Sequence, residues 1–146
     1  METYIKNLLQ VLENKQKKKQ IDYLVSLSDH IGFDKITNIE LKQFPQIISS
    51  FYSIIDQLNI NSPRFFEILP ITEMKMLNDK LLWFSNINRT EKICFNTEKL
   101  NNAGEWDIVG FKNNYIITQT LSSYICNKLW AWVERNRKIW EEEIFE

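Results

Sequence analysis

The sequence predicts an α+β fold in which N-terminal helices and a long C-terminal helix pack on a mainly antiparallel sheet of about four to six strands. Apolar residues recur at helical spacing early in the chain, short segments rich in β-forming residues cluster between residues 65 and 120, and helical spacing returns at the end. The 146 residues, 44% of them hydrophobic, suffice for one hydrophobic core. We therefore expect a single domain over residues 1–146.

Two helices are predicted before residue 36. Residues 2–19 place Ile5, Leu8, Leu9 and Leu12 on one helical face. The lysine run that follows, Lys15 to Lys19, suits the negative end of a helix dipole. A second helix is predicted over residues 21–31, because apolar residues recur there three or four apart and the pattern stops at Gly32.

Residues 37–58 predict a short helix and then a longer one. Thr37 or Asn38 is placed to cap the first, and Pro45 interrupts the pattern. Beyond Pro45, apolar residues three or four apart form one wide helical stripe, made of Ile47, Ile48, Phe51, Ile54, Ile55 and Leu58.

Strands are predicted next. The segment FFEILPI, closed by Pro70, is typical of a strand at the edge or end of a sheet, and one or two helical turns follow from Thr72. Two apolar runs, one on each side of the polar residues 86–91, indicate a hairpin. EWDIVGF and NYIITQT indicate a second hairpin, with Gly110 or the Asn113–Asn114 pair supplying the turn conformations.

The last segment predicts a long terminal helix that opens with a Thr/Ser cap. Trp130, Trp132 and Trp140 cannot all point the same way on such a helix, so we expect at least one to be exposed. An exposed Trp beside Arg135 and Arg137 is typical of a protein-binding surface, although core packing would also account for these rings.

Motifs for catalysis are sparse in this sequence. It has one histidine, His30, three glycines, and two cysteines without metal-ligand spacing. We therefore expect no catalytic residue, no cofactor and no metal, and we interpret Cys94 and Cys126 as buried, reduced thiols of a cytoplasmic protein. Glu105 and Asp107 flank Trp106 in a strand-like segment and are not interpreted as paired acids.

Composition also bears on the partner. The N-terminus lacks the features of a secretory signal, and no window approaches the roughly 20 apolar residues that cross a bilayer, so we expect no membrane association. A formal net charge of −1 gives no overall attraction to a polyanion. Nucleic-acid binding would have to use Lys15 to Lys19 with the Trp-bearing helix, and we retain it as a lesser alternative.

Two segments resemble the SUKH superfamily, which includes a fungal cell-wall-synthesis regulator and many bacterial immunity proteins. FPQIISSFYSIIDQLNI is similar to the family's LP-x-x-[YF]-x-x-F[YL] helix through Phe44-Pro45 and Phe51-Tyr52, but Asp56-Gln57 replaces the family's Asn-Gly turn. Residues 92–140 resemble the family's closing order of strand, loop, strand, strand and helix. The resemblance spans roughly residues 37–140, with residues 1–36 as an N-terminal extension.

The resemblance implies an immunity protein that binds a cognate secreted polymorphic toxin, often a nuclease, and masks its active site. Nuclease toxins tend to be basic, so acidic residues are expected to steer the encounter. A monomer or weak homodimer is expected. A non-catalytic regulatory or scaffold module of the cell-wall-regulator type is the alternative, and a small enzyme ranks last. The candidate partner-binding residues are Glu73, Asp79, Glu98, Glu105, Asp107, Trp130, Trp140, Glu141, Glu142 and Glu143.

Overall fold

The computed structural model describes residues 3–28 and 44–142. Within them the chain forms an α+β structure with three helices and an open antiparallel sheet of eight strands. The helices are α1 (Thr3–Lys17), α2 (Gln46–Tyr52) and α3, which joins the α-helical segment Leu121–Ser123, the π-helical segment Tyr124–Lys128 and the α-helical segment Leu129–Val133. The strands are β1 (Asp22–Leu27), β2 (Ile55–Ser62), β3 (Phe66–Ile68), β4 (Lys75–Met76), β5 (Leu81–Ile87), β6 (Glu91–Asn96), β7 (Ile108–Gly110) and β8 (Ile116–Thr118).

The strands follow one another across the sheet almost in chain order. Their order is β1-β2-β3-β5-β6-β7-β8, and short β4 pairs with β5 as well. Every pairing is antiparallel. The β2–β3, β5–β6 and β7–β8 pairs are local hairpins with short connections, whereas residues 28–54 join β1 to β2 and residues 97–107 join β6 to β7.

Both predicted hairpins are present, β5–β6 and β7–β8. Asn88 and Arg89 turn the first with φ of 55° and 61°, and Asn114 turns the second with φ of 57°. Asparagine tolerates this left-handed region better than most residues, so Asn114 is the residue that supplies the predicted turn conformation. Gly110 serves a different purpose, since an added Cβ would lie 3.1 Å from Asn113 Oδ1 and 3.4 Å from the Trp140 carbonyl oxygen.

One face of the sheet carries the main hydrophobic core. All three helices contribute to it, with Ile5, Leu8 and Leu12 from α1 buried against strand residues. Phe84 and Phe95 stack on neighbouring strands with ring centroids 3.8 Å apart, and Tyr124 of α3 packs against Phe84 at 5.5 Å. The Tyr124 hydroxyl lies 2.8 Å from Ser85 Oγ, which in turn donates to the Glu67 carbonyl. Every polar group in this contact therefore has a partner.

The helix predicted over residues 21–31 is wrong where the structure describes it, because residues 22–27 form β1. Tyr23 and Val25 pack towards the core, while Leu24 between them is 71% exposed. This period of two shows that pairing with β2 decides the local structure, although Ile21, Leu24 and Leu27 are also three apart. His30, Ile31 and Gly32 lie outside the described residues, as do Thr37 and Asn38.

The long helix predicted beyond Pro45 is also wrong, since α2 starts directly after Pro45 but ends at Tyr52. Ile55 and Leu58 belong to β2 instead. In this strand Leu58 and Ile60 are buried and alternate with Asn59 and Asn61, which are poor helix formers.

Three further predictions, on the number of strands, the position of β3 and the turns before β4, are wrong. The sheet has eight strands rather than four to six, because β1, β2 and β4 were not recognised. The strand in FFEILPI, β3, is internal, between β2 and β5. A single 3-10 turn, Ile71–Glu73, replaces the predicted helical turns before β4.

The terminal helix begins as predicted but is shorter. Thr120 Oγ1 accepts a hydrogen bond from the Ser123 amide at 3.1 Å, as an N-cap does. The helix ends because Asn136 takes a left-handed φ of 55°. The Asn136 amide donates to the Trp132 carbonyl, and the Arg137 amide donates to the Ala131 carbonyl. This left-handed C-terminal cap turns the chain back, so that Trp140 packs on the core outside the helix.

Candidate functional site

The two faces of the sheet differ in what covers them. Leu82 and Phe84 of β5 belong to the helix-covered core, whereas Leu81 and Trp83 belong to a separate small cluster with Cys94, Val109 and Leu77. Successive side chains of a strand point to opposite faces, so this cluster lies on the side away from the helices. We call this side the open face, because no described helix packs on it.

Strand register arranges the open face in two rows. One row crosses β4 to β8 and contains Lys75, Trp83, Cys94, Val109 and Ile116. The other crosses β1, β2, β3, β5 and β6 and contains Leu24, Asn59, Glu67, Asn86 and Lys92. The rows differ in character, since the first is mostly apolar and the second is mostly polar.

Trp83, on β5, is the aromatic residue of the apolar row and is half-buried. Its indole Nε1 donates to the Ser85 carbonyl and to Asn86 Oδ1, both at 3.1 Å. Asn86 Nδ2 in turn donates to Glu67 Oε1 at 2.6 Å. These hydrogen bonds hold the indole ring in one orientation on the open face.

Two lysines lie against the Trp83 ring. Lys75 Nζ is 5.5 Å and Lys92 Nζ is 5.3 Å from the ring centroid, within the range of cation–π attraction. Among the described residues neither ammonium group forms an ion pair. The open face therefore presents an aromatic ring beside two lysines that form no ion pair within residues 3–28 and 44–142.

Apolar residues surround this ring. Leu81, Cys94 and Val109 are buried beneath it, Leu77 packs beside them, and Ile116 at the sheet edge is 50% exposed. Burial raises the pKa of the Cys94 thiol to about 12, and the positive charge of Lys92 partly opposes this rise. We define the Trp83 patch as the group Lys75, Leu77, Leu81, Trp83, Asn86, Lys92, Val109 and Ile116.

Charged loops lie at the end of the sheet where β5 begins and β6 ends. The Thr97 amide and hydroxyl both donate to the Lys80 carbonyl, at 2.8 and 2.7 Å, which joins the two loops. Two of the predicted acidic residues, Asp79 and Glu98, are exposed here. Lys80 Nζ lies 3.8 Å from Glu98 Oε2, so this lysine partly offsets the charge of Glu98.

Glu105 and Asp107 lie at the same end but are engaged within the chain. Glu105 Oε1 accepts a hydrogen bond from the Leu121 amide at 2.9 Å, at the start of α3. Burial raises the pKa of Glu105, and the hydrogen bond from Leu121 lowers it less. Asp107 Oδ1 accepts from Asn101 Nδ2 at 2.9 Å. Both carboxylates therefore organise the loop that joins β6 to β7.

The prediction that at least one of the three C-terminal tryptophans is exposed is wrong. Trp130, Trp132 and Trp140 are 8%, 5% and 9% exposed. Trp132 Nε1 donates to the Phe65 carbonyl at 2.8 Å, and its ring meets Trp140 edge to face at 5.1 Å. Lys15 Nζ lies 4.9 Å from the Trp130 ring centroid and pairs with Glu134. Because the helix ends at Val133, Trp140 folds back onto the core.

The remaining predicted residues are dispersed. Glu73 is exposed in the 3-10 turn before β4, and Glu143 lies outside the described residues. Glu141 and Glu142 line a cleft of about 780 Å³ together with Lys128, Arg135 and Arg137. Trp140 lines another cleft, of about 610 Å³, beside Phe111 and Lys92. The predicted acids thus form no single surface, since Asp79 and Glu98 lie at one end of the sheet and Glu141 and Glu142 follow Trp140 at the other.

Sequence reasoning missed Trp83. The signal was present in KLLWFS, where an uninterrupted apolar run must place alternate residues on both faces of the sheet. Leu82 and Phe84 took the core side, which left Leu81 and Trp83 for the other.

None of the helices in residues 3–28 and 44–142 has the length and apolar character needed to span a bilayer. In the same ranges no three His, Cys, Asp or Glu side chains are grouped as metal ligands would be.

Comparisons of this chain with protein-family models, with curated proteins and with solved structures find no match.

Proposed function

We propose that this protein is an immunity protein that binds a cognate secreted toxin, of the nuclease class that the SUKH resemblance implies, and blocks its active site by covering it. In this proposal the protein acts in the cytoplasm of the toxin-producing cell, by binding alone. The resemblance of residues 37–140 to the SUKH superfamily supports the class of function. The open face supports binding as the mode of action.

The observation that carries the proposal is the position of Trp83. It is a half-buried aromatic residue, fixed by hydrogen bonds, at the centre of a sheet face that no described helix covers. Protein interfaces commonly have an apolar centre rich in aromatic residues and a polar, charged rim. The Trp83 patch has this arrangement, with Asp79, Lys80 and Glu98 at its border.

Preorganisation adds to the suitability of this surface. A side chain that is already held in one rotamer loses little entropy on binding, so more of its contact energy appears as affinity. The Trp83 ring is held in this way by Ser85 and Asn86. Tryptophan is also among the residues that most often dominate binding energy at interfaces.

The proposal expects a neighbouring gene to encode a secreted protein with a variable C-terminal domain, and the test is co-expression of this protein with that domain. Wild-type protein is expected to restore growth of cells that make the domain and to co-purify with it. Trp83→Ala is expected to weaken the complex by about 2 kcal/mol or more, as measured by calorimetry.

Leu27→Ala is the matched control, because Leu27 is a 62% exposed apolar residue on edge strand β1, outside the Trp83 patch. It is expected to bind like wild type, and both variants are first checked for native circular dichroism. If wild-type protein neither protects the cells nor forms a complex with the adjacent toxin domain, the proposed function is wrong.

A further inference from the structure

Two lysines place positive charges beside the Trp83 ring, and no residue in the described part of the chain forms an ion pair with them. Lys75 approaches the ring from β4 and Lys92 from β6, and neither meets a carboxylate. Glu67, the acid on the neighbouring row, is hydrogen-bonded to Asn86 and contributes one negative charge. Lys75 and Lys92 outnumber this acid, so the described centre of the open face is cationic, although the whole chain has a formal net charge of −1.

We propose that the Trp83 patch receives an acidic segment of the protein partner, whose carboxylates lie beside Lys75 and Lys92 while an apolar side chain packs on the Trp83 ring. This inference rests on the proposed function for the identity of the partner as a protein. It adds that the partner is acidic where it meets this face. That differs from the sequence-based expectation of acidic residues facing a basic toxin.

Charge complementarity gives the reason for an acidic occupant. An ammonium group on a protein surface gains more from a carboxylate when the surrounding water is displaced. The partly exposed apolar side chains Leu77 and Ile116 provide surface from which water is displaced on docking. Trp83 keeps its orientation without help from the lysines, because its Nε1 hydrogen bonds go to Ser85 and Asn86. Both ammonium groups are thus available to the partner.

A polypeptide segment fits this surface better than a nucleic acid does. A phosphate backbone carries charge along its whole length and is usually met by a track of cations with several stacking aromatics. Here two lysines lie at one aromatic ring, and Glu67 adds a negative charge on the adjacent row. The apolar residues clustered with Trp83 are Leu77, Leu81, Val109 and Cys94 rather than further aromatic rings, which suits apolar side chains of a protein.

Quenching of tryptophan fluorescence tests the local charge in the free protein. Trp83 is the one tryptophan of five that is not buried, so added quenchers report mainly on it. The ratio of iodide to caesium quenching is expected to be higher in wild type than for free N-acetyltryptophanamide, and the double variant Lys75→Glu/Lys92→Glu is expected to lower this ratio below the free-indole value. If iodide does not quench the wild-type protein, the ring is already covered, and the proposal is overturned.

Binding of model ligands tests the class of partner. A short capped peptide of alternating Glu and Leu is expected to bind wild type and protect Trp83 from iodide, whereas the matched Lys/Leu peptide is not. The double variant is expected to bind the acidic peptide about tenfold or more weakly, because like charges then face each other. Preference for the Lys/Leu peptide or for single-stranded oligo-deoxythymidine, absence of peptide binding, or self-association that protects Trp83, would each overturn the proposal.

The toxin domain separates this inference from the proposed function. If wild-type protein binds that domain and Lys75→Glu/Lys92→Glu binds it equally well, the acidic segment is wrong while the immunity function stands. If Lys75→Glu/Lys92→Glu loses binding and Glu13→Lys, an exposed charge change on α1, does not, both stand. If wild-type protein does not bind the domain, the immunity function fails, and the peptide assay decides the chemistry of the patch independently.

Discussion

The thiol of Cys94 lies within the small cluster under Trp83 and is fully buried. Burial raises its pKa to about 12 and also raises the pKa of Cys126, which is half-buried. The thiolate is the reactive form of cysteine, so both thiols should be less reactive than a free cysteine. Neither forms a disulfide in the structure, and the prediction that both thiols are buried is wrong for Cys126, which is only partly buried.

We predict that Cys94 of the native protein resists iodoacetamide from pH 7 to 9. The raised pKa means that the folded state favours the protonated Cys94 thiol. The stability that this protonated thiol contributes is therefore present at neutral pH. It is lost only as pH rises from the ordinary thiol pKa of 9.0 towards about 12. Mass spectrometry after timed alkylation measures the rate at each site, and Cys126→Ser isolates Cys94. Alkylation of native Cys94 as fast as in urea would contradict the prediction.

At the scale of the element, α3 shows how a loop and a helix are joined. Thr120 caps the helix through the Ser123 amide, and Glu105, from the loop that joins β6 to β7, accepts from the Leu121 amide. The first amides of a helix have no partner within it, so each of these acceptors satisfies a group that would otherwise be unpaired. The loop is thereby fixed to the helix that closes the core.

Glu105→Gln should keep this cap and remove its pH dependence. Burial raises the pKa of Glu105 in the folded state. As pH rises, Glu105 therefore ionises first in the unfolded chain. Wild type should lose stability from the ordinary Glu pKa of 4.5 up through the raised pKa of the folded state. Glutamine still offers an oxygen to Leu121 and stays neutral. Urea unfolding at pH 4 and pH 7 should show Glu105→Gln at least as stable as wild type at pH 7.

Glu105→Ala is the companion variant, since it removes the acceptor together with the charge. It is expected to be less stable than Glu105→Gln at both pH values, because the Leu121 amide loses its partner. Equal loss of stability for the alanine and glutamine variants at pH 7 would mean that the negative charge, rather than the hydrogen bond, supports the helix start.

Elements also show which parts of the fold the sequence could predict. The two hairpins were predictable because their signals are local, in β-forming runs separated by residues such as Asn88 and Asn114 that accept left-handed turns. β1 and the end of α2 were not, because Leu24 and Ile55 also fit helical spacing and only pairing with a distant strand selects the extended form. The acidic residues predicted to form one partner-binding surface are dispersed, because their relative positions depend on the order of distant strands in the sheet.

At the scale of the whole molecule, the helices and one sheet face share a single core cluster that includes residues from Ile5 to Trp140. The other face holds a much smaller cluster of its own. The structure therefore separates two roles that aromatic residues can take. Phe84 stabilises the core by stacking on Phe95, and the adjacent Trp83 is oriented outward with its polar group satisfied.

This separation predicts different costs for two adjacent truncations. Phe84→Ala should lower the free energy of unfolding by about 3–5 kcal/mol, because Phe84 is fully buried and its removal leaves a cavity. Trp83→Ala should cost less, since its ring is half-buried outside the main core.

Because α1, α3 and the sheet share one core, far-UV circular dichroism and tryptophan fluorescence should report one coincident transition in urea for wild type and for both variants. Separate transitions by the two probes would show that the helices and the sheet do not unfold as one unit. A larger loss for Trp83→Ala than for Phe84→Ala would show that the open face contributes more to stability than this part of the main core does.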